Sequence, residues 1–308
     1  MDNLTHSLAG AVLGQMGLKR LSGRAMPTLI IAANLPDIDA VASVLGTQSL
    51  TIRRGITHGP IALLLLPLVL TGLMLAWNRW RPAKEPVNSR ALLLLAYVGA
   101  LSHPALDWLN SYGIRLLEPF SSRWFYGDTL FIIDIWIWAA LIAGVWLSRR
   151  REKRGGNWRA PAIASFAAIC AYIFANGLIT GRAEATTHHA VERDLALTPS
   201  LVVANPVPLR FWARRMEWRA GRLWGEGAFD LANGVTLGGA PHPANLGDPR
   251  LARVRDRPDV AALLFWARMP VVVERGGVAV LTDQRFADLS GGGRGRRFGY
   301  DPFSVPLE

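Results

Sequence analysis

Cysteine is almost missing from this chain. Its 308 residues include one, Cys170, inside an apolar run. One thiol excludes an intrachain disulfide and a cysteine-based zinc site. That leaves Cys170 as a small packing residue. Charge is scarce too, at 19% of residues against 51% hydrophobic. Acidic residues number 23 and basic residues 34, a formal net charge of +11. Such an excess would suit nucleic acid if it were spread over one face. Instead, thirteen of the seventeen Lys/Arg before residue 181 fall in three short clusters, around 19–24, 79–90 and 149–159. Each cluster separates apolar runs, which is the positive-inside pattern of cytoplasmic loops and argues against nucleic acid. The first residues, Met1 to Ser7, lack the basic stretch of a cleaved signal peptide. No catalytic motif is visible in 181–308. No inverted repeat relates the halves, which weighs against a transporter.

Apolar sequence dominates 1–180. Segments at 4–18, 25–46, 60–80, 91–109, 129–148 and 160–180 approach or reach the roughly twenty residues needed to span a bilayer. The second is interrupted by Asn34-Leu35-Pro36-Asp37-Ile38-Asp39, where Pro36 lacks a backbone donor and Asn34 suits an N-cap. A break of this kind is tolerated in a membrane where it lines a cavity. Residues 47–58 read as a loop and 110–128 as a re-entrant or surface connection. The predicted fold is therefore mainly α, a multi-pass helical membrane bundle of about six apolar segments, one of them broken. Residues 181–308 form a small C-terminal α+β extramembrane domain. It has hairpins at 211–231 and 271–283, a helix interrupted at Pro258, and an irregular tail at 290–308. His188 and His189 fall on a predicted linker, and His242 on a loop. With the basic clusters in the cytoplasm, the C-terminal domain is extracytoplasmic.

Several ionisable residues lie inside apolar sequence, where they are costly and need a reason to be present. His103 and Asp107 are four apart and share one helix face, as a metal-binding pair or a helix-end hydrogen bond would. His6 is thirteen residues from Lys19, Asp37 thirteen from Arg24, and His103 thirteen from Arg90. At 1.5 Å per helical residue each sits roughly 20 Å from its basic marker. Three segments thus carry ligand-type residues to one depth. Asp134, fifteen from Arg149, lies slightly higher, and His58 ends the outward side of the third segment. Three histidines and up to four carboxylates suit zinc or manganese, as one ion or two. Arg53, Arg54, Arg115 and Arg123 are the basic residues on the outward side of this half. They would bind a substrate's phosphate or serve topology and pair with Glu118 and Asp128.

Thr5-His6-Ser7, Leu35-Pro36-Asp37-Ile38-Asp39, Arg54-Gly55-Ile56-Thr57-His58, His103-Pro104-Ala105-Leu106-Asp107-Trp108, Ser111-Tyr112-Gly113, Pro119-Phe120-Ser121 and Ile133-Asp134 occur in that order. This set, covering 1–180, resembles the YdjM/YbcI-type family of bacterial inner-membrane proteins. The chain departs from the family pattern with Arg53 for His, Gly59 for Ser and Asn110 for Thr. The resemblance implies a metal-dependent hydrolase with His6, Asp37, Asp39, His58, His103 and Asp107 as metal ligands. On this expectation Asp39 is a ligand or general base. Asp134 is a ligand or lies behind one. The resemblance does not settle the substrate; the depth of the site and the outward arginines favour a lipid or lipid-linked phosphoester over a soluble periplasmic substrate. A metal-dependent structural or sensory membrane protein is the main alternative.

Overall fold

The computed structural model describes residues 1–286 and 301–308. The chain divides into two units, Met1–Asp39 with Arg54–Ile179 and Pro206–Phe211, and Ala40–Arg53 with Thr180–Asn205 and Trp212–Glu308.

The first unit is helical. Its elements are α1 (Asn3–Gln15), α2 (Ala25–Ala32), α3 (Pro60–Trp80), α4 (Ser89–Trp108), α5 (Ile135–Lys153) and the start of α6 (Arg159–Leu195). Asp2 caps α1 by accepting from the Leu4 and Thr5 amides. Asn88 caps α4 in the same way. α2 packs between α1 and α4, α3 packs on α4, and α5 on α1. α3 turns Leu64, Val69 and Leu73 outward, each more than half exposed. An exposed leucine-rich face on a 21-residue helix suits hydrocarbon rather than water.

Small residues set the closest helix contacts. A Cβ on Gly10 of α1 would lie 2.7 Å from the Leu29 carbonyl oxygen of α2. One on Gly99 of α4 would lie 2.6 Å from the Ala32 Cβ. Glycine on both flanks lets α2 approach two backbones at once, the usual small-residue packing of membrane helices.

Four stretches among the described residues are long and apolar enough to cross a membrane: Ala25–Thr51, Pro60–Trp80, Ser89–Trp108 and Arg159–Leu195. Two of the six expected segments fall short of that measure. α1 has 13 residues, roughly 20 Å of rise. α5 carries Arg149, Arg150, Arg151, Glu152 and Lys153 within its 19 residues. The second segment breaks at the expected place. Beyond the break the chain forms a 3-10 stretch, Leu35–Thr51, kinked at Gly46, and this takes in much of the expected loop at 47–58. Asn34 is no N-cap: its side-chain nitrogen donates to the Ser7 hydroxyl and the Ile30 carbonyl.

α6 runs on through His188 and His189 to Leu195, so these two are helical and not in a linker. Residues 182–195 contain neither glycine nor proline and are rich in Ala, Glu and Arg, which favours continuation. Two sheets lie mainly in the second unit. The first has the order β1 (Leu201–Val207), β2 (Arg210–Ala220), β3 (Leu223–Asp230), β4 (Gly234–Pro243). The second has β5 (Pro270–Arg275), β6 (Val278–Asp283) and β7 (Ser304–Pro306). Short helices α7 (Pro249–Val254) and α8 (Pro258–Trp266) lie between them in the chain. The expected β2–β3 and β5–β6 hairpins are present. β1 and β4 escaped the sequence because proline and glycine interrupt their alternation, which only edge strands tolerate. His242 accordingly lies on β4, opposite Trp224. β7 replaces part of the expected irregular tail, and 290–300 lies outside the described residues. Buried Glu217 accepts from Asn205 at 2.8 Å and from Arg215 at 2.5 Å, while burial pushes its carboxyl up to about 8.

The glycine contacts give a test. Gly99→Val forces side-chain bulk into the α2–α4 contact and should destabilise the protein by about 1–3 kcal/mol. Gly72→Ala on α3, where nothing lies within 4 Å, should leave thermal stability in detergent unchanged. Equal melting temperatures for Gly99→Val and Gly72→Ala would contradict this packing.

Candidate metal centre

The break after α2 begins the site. Pro36 has no N–H, so the Ala33 carbonyl lacks the donor that a 3-10 turn would supply from three residues on. The next amide, Asp37 N–H, donates to Asn34 instead. The Ala33 carbonyl takes its hydrogen bond from His103 Nδ1 on α4, at 2.7 Å. A carbonyl has no proton to give, so Nδ1 carries the proton. In the neutral ring Nε2 is then a bare lone pair.

His58 reaches the same state by another route. The Thr57 hydroxyl donates its one proton to Asp39 Oδ2 at 2.9 Å. Its contact with His58 Nδ1, also 2.9 Å, therefore has the ring as donor. Asp39 Oδ2 also lies 3.5 Å from that nitrogen and accepts the Arg54 amide at 2.8 Å. His58 Nε2 is left bare as well.

The two bare nitrogens face each other at 3.2 Å. Around them stand Asp107 Oδ2, 3.6 Å from His58 Nε2 and 3.5 Å from His103 Nε2, and Asp37 Oδ1, 3.7 Å from His103 Nε2. Donors 2.0–2.2 Å from a tetrahedral zinc ion stand about 3.3–3.6 Å apart. One ligand atom from each of the buried residues Asp37, His58, His103 and Asp107 lies within 4.8 Å of all the others. Lone pairs gathered in this way repel one another unless a cation sits among them. The donor set fits a divalent ion.

Further side chains hold these four. His6 Nε2 lies 3.2 Å from Asp107 Oδ1, and its ring stacks on His103 at 3.8 Å. His6 Nδ1 is buried with no hydrogen-bond partner among the described residues. Arg54 Nε reaches Asp107 Oδ2 at 3.0 Å and Nη2 reaches Oδ1 at 3.3 Å. The Met1 amino nitrogen also contacts Asp107. Arg54 Nη1 donates to Asn110 Oδ1 at 2.8 Å, and its guanidinium covers the Tyr112 ring. These neighbours compensate a carboxylate that is fully shielded from solvent.

The predicted site residues thus divide. Asp37, His58, His103 and Asp107 come together, with His6 and Asp39 in contact with members of that group. Asp134 does not join them. It caps α5 through the Trp136 and Ile137 amides and accepts from the Tyr172 hydroxyl at 3.0 Å. Among the arginines, Arg54 is committed to Asp107. Arg115 pairs with Glu118 at 3.1 Å, and burial pushes its guanidinium below the usual range. Arg53 donates to the Ser43 hydroxyl at 3.2 Å. Arg123 is exposed, over the Phe125 ring. Sequence reasoning missed Thr57 and the Ala33 carbonyl. Pro36, three residues after that carbonyl, was the available signal for the latter. The three departures from the family pattern each have a place. Asn110 holds Arg54, Arg53 meets Ser43, and a Cβ on Gly59 would lie 1.9 Å from the Glu118 carbonyl oxygen. A second group, His188, His189 and Glu192, is half to largely exposed on α6. Contacts of 3.4 and 3.7 Å there are those of surface ion pairs one helical turn apart.

Apolar helices around a buried cluster of two imidazoles and two carboxylates define a helical membrane protein with a candidate metal centre. The model of the YdjM inner membrane protein family matches residues 1–183. The chain belongs to that family. No curated protein and no solved structure matches it.

The geometry predicts the order of effects on metal content. His58→Ala with His103→Ala should remove bound metal from the purified protein. Thr57→Val leaves all four donors in place but frees the His58 ring, and should weaken affinity roughly 10- to 100-fold. Elemental analysis and competitive chelation measure both. Full metal content in the double variant would rule the centre out.

Proposed function

We propose that this chain is a membrane-embedded, metal-dependent hydrolase acting on an ester, with a lipid-linked phosphoester as the preferred substrate. The observation that carries this reading is the facing pair of unprotonated Nε2 atoms on His58 and His103, flanked by Asp37 and Asp107. A bound divalent ion would supply an activated water near neutral pH and polarise a phosphoryl oxygen. Asp39 and Thr57 fix the tautomer of His58. The Ala33 carbonyl fixes that of His103. Arg54 orients Asp107. We assign the proton of an attacking water to His6, whose Nδ1 is buried with no hydrogen-bond partner among the described residues. This assigns proton transfer to His6 and an orienting role to Asp39. Asp134 becomes a helix cap. Arg123 remains the candidate for binding phosphate, since Arg54 and Arg115 each hold a carboxylate. Zinc suits the nitrogen–oxygen donor set best, and manganese is the alternative.

Lipid is favoured because the donors come from apolar, membrane-length sequence. An opening on the extracytoplasmic side accords with placing the three basic clusters in the cytoplasm.

One observation favours a second reading. Four protein donors complete a tetrahedron, which is the habit of structural zinc sites, whereas catalytic sites keep a position open. The metal would then fasten α4 to the broken segment without chemistry.

Turnover separates the two. Metal-loaded protein in lipid nanodiscs should hydrolyse phosphorylated lipid esters. His58→Ala should fall to background. His6→Gln should retain metal while losing most of the turnover. A metal-loaded protein inert towards phosphorylated and carboxylic lipid esters alike would sink the hydrolase and leave the structural site.

A further inference from the structure

One face of α5 changes character along its length. Ile142, Val145, Trp146, Arg149, Arg150 and Lys153 succeed one another at steps of three, one, three, one and three, which keeps them on one helical stripe. With Leu8 of α1 they line a crevice of about 550 Å³. Its first half is aliphatic and aromatic. Its last turn and a half is cationic. From Ile142 to Lys153 the stripe extends roughly 16 Å.

The cations at its end have no carboxylate of their own. Glu152, the acidic residue of that turn, is held by Lys19 at 2.5 Å. Among the described residues no carboxylate lies within ion-pair distance of Arg149, Arg150 or Lys153. Arg150 rests on the Trp146 ring at 5.4 Å. All three side chains are exposed. An apolar slot opening onto three unpaired cations, in an inner membrane protein, complements a ligand with an apolar tail and an anionic head.

We propose that this crevice binds an anionic phospholipid. An acyl chain lies along Leu8, Ile142 and Val145. The headgroup phosphate meets Arg149, Arg150 and Lys153. Guanidinium pairs suit a phosphate bidentately. Basic pockets between membrane helices select anionic headgroups on the same grounds. The crevice shares no residue with the metal centre, so it is a binding site independent of hydrolysis.

The test uses the full chain in neutral detergent, titrated with phosphatidylglycerol, phosphatidylcholine or inorganic phosphate and read by native mass spectrometry. Phosphatidylglycerol should bind well above phosphatidylcholine. The triple variant Arg149→Gln/Arg150→Gln/Lys153→Gln should lose roughly a hundred-fold of that affinity. Arg79→Gln/Arg81→Gln/Lys84→Gln, which removes as much charge from another basic cluster, should keep it. Ile142→Trp fills the slot with every cation in place, and should also weaken binding. Equal affinity for the two lipids overturns the proposal. So does an equal loss in both triple variants, which would mean general surface attraction. Displacement by inorganic phosphate together with unchanged binding in Ile142→Trp would show a free-anion site, and overturns it as well.

Discussion

The hydrogen bond from His103 Nδ1 to the Ala33 carbonyl is the contact on which the site depends. It needs three things at once. Pro36 must withhold the amide that would otherwise occupy that carbonyl. α2 must end where it does, with its last carbonyls unspent. Gly99 must let α4 come close enough for His103 to reach across. Given these, His103 has one neutral tautomer, and its Nε2 points with a bare lone pair toward His58, Asp37 and Asp107. The helix break is therefore part of the site. It converts a lost backbone hydrogen bond into the orientation of a candidate ligand, an arrangement tolerated in apolar surroundings because the freed group is satisfied by protein.

Asp107 poses the complementary problem. A carboxylate shielded from water costs several kcal/mol unless it is compensated. Here compensation is provided by Arg54 and His6, and Arg54 is in turn anchored by Asn110 and capped by the Tyr112 ring. The 110–128 connection folds back so that the Arg115 amide meets the Arg54 carbonyl at 2.9 Å. The irregular segment thus supports the arginine that supports Asp107. That role accounts for the many hydrogen bonds made by a connection without helix or strand.

Much of this was legible in the sequence, and the limits are physical. Membrane-length runs gave α3 and α4 within two residues at each end. Ligand-type residues in apolar context pointed to His6, Asp37, His58, His103 and Asp107, because burying such groups is costly and rarely accidental. Counting thirteen residues from a basic marker put His6, Asp37 and His103 at one level. They do lie close together, although the chain from Ala33 to Asp37 is not α-helical, so packing rather than uniform rise sets the match. The same counting placed Asp134 near that level, yet it caps α5. Depth along a helix axis says nothing about which way a side chain turns. The arginines were the hardest. A sequence shows that Arg54 and Arg115 are near the site but not whether a guanidinium is already spent on a carboxylate of the protein itself. β1 and β4 were hidden because edge strands relax the alternation that marks a strand.

The metal centre stands on His58 and His103 presenting unprotonated Nε2 atoms to one ion. X-ray absorption at the edge of the metal in the purified protein tests it most directly. The first shell should consist of nitrogen and oxygen donors at about 2.0–2.2 Å, with the outer-shell scattering of two imidazole rings. One ring should vanish in His58→Ala and one in His103→Ala. A bound metal with an all-oxygen shell and no imidazole scattering, in the wild-type protein, would contradict it.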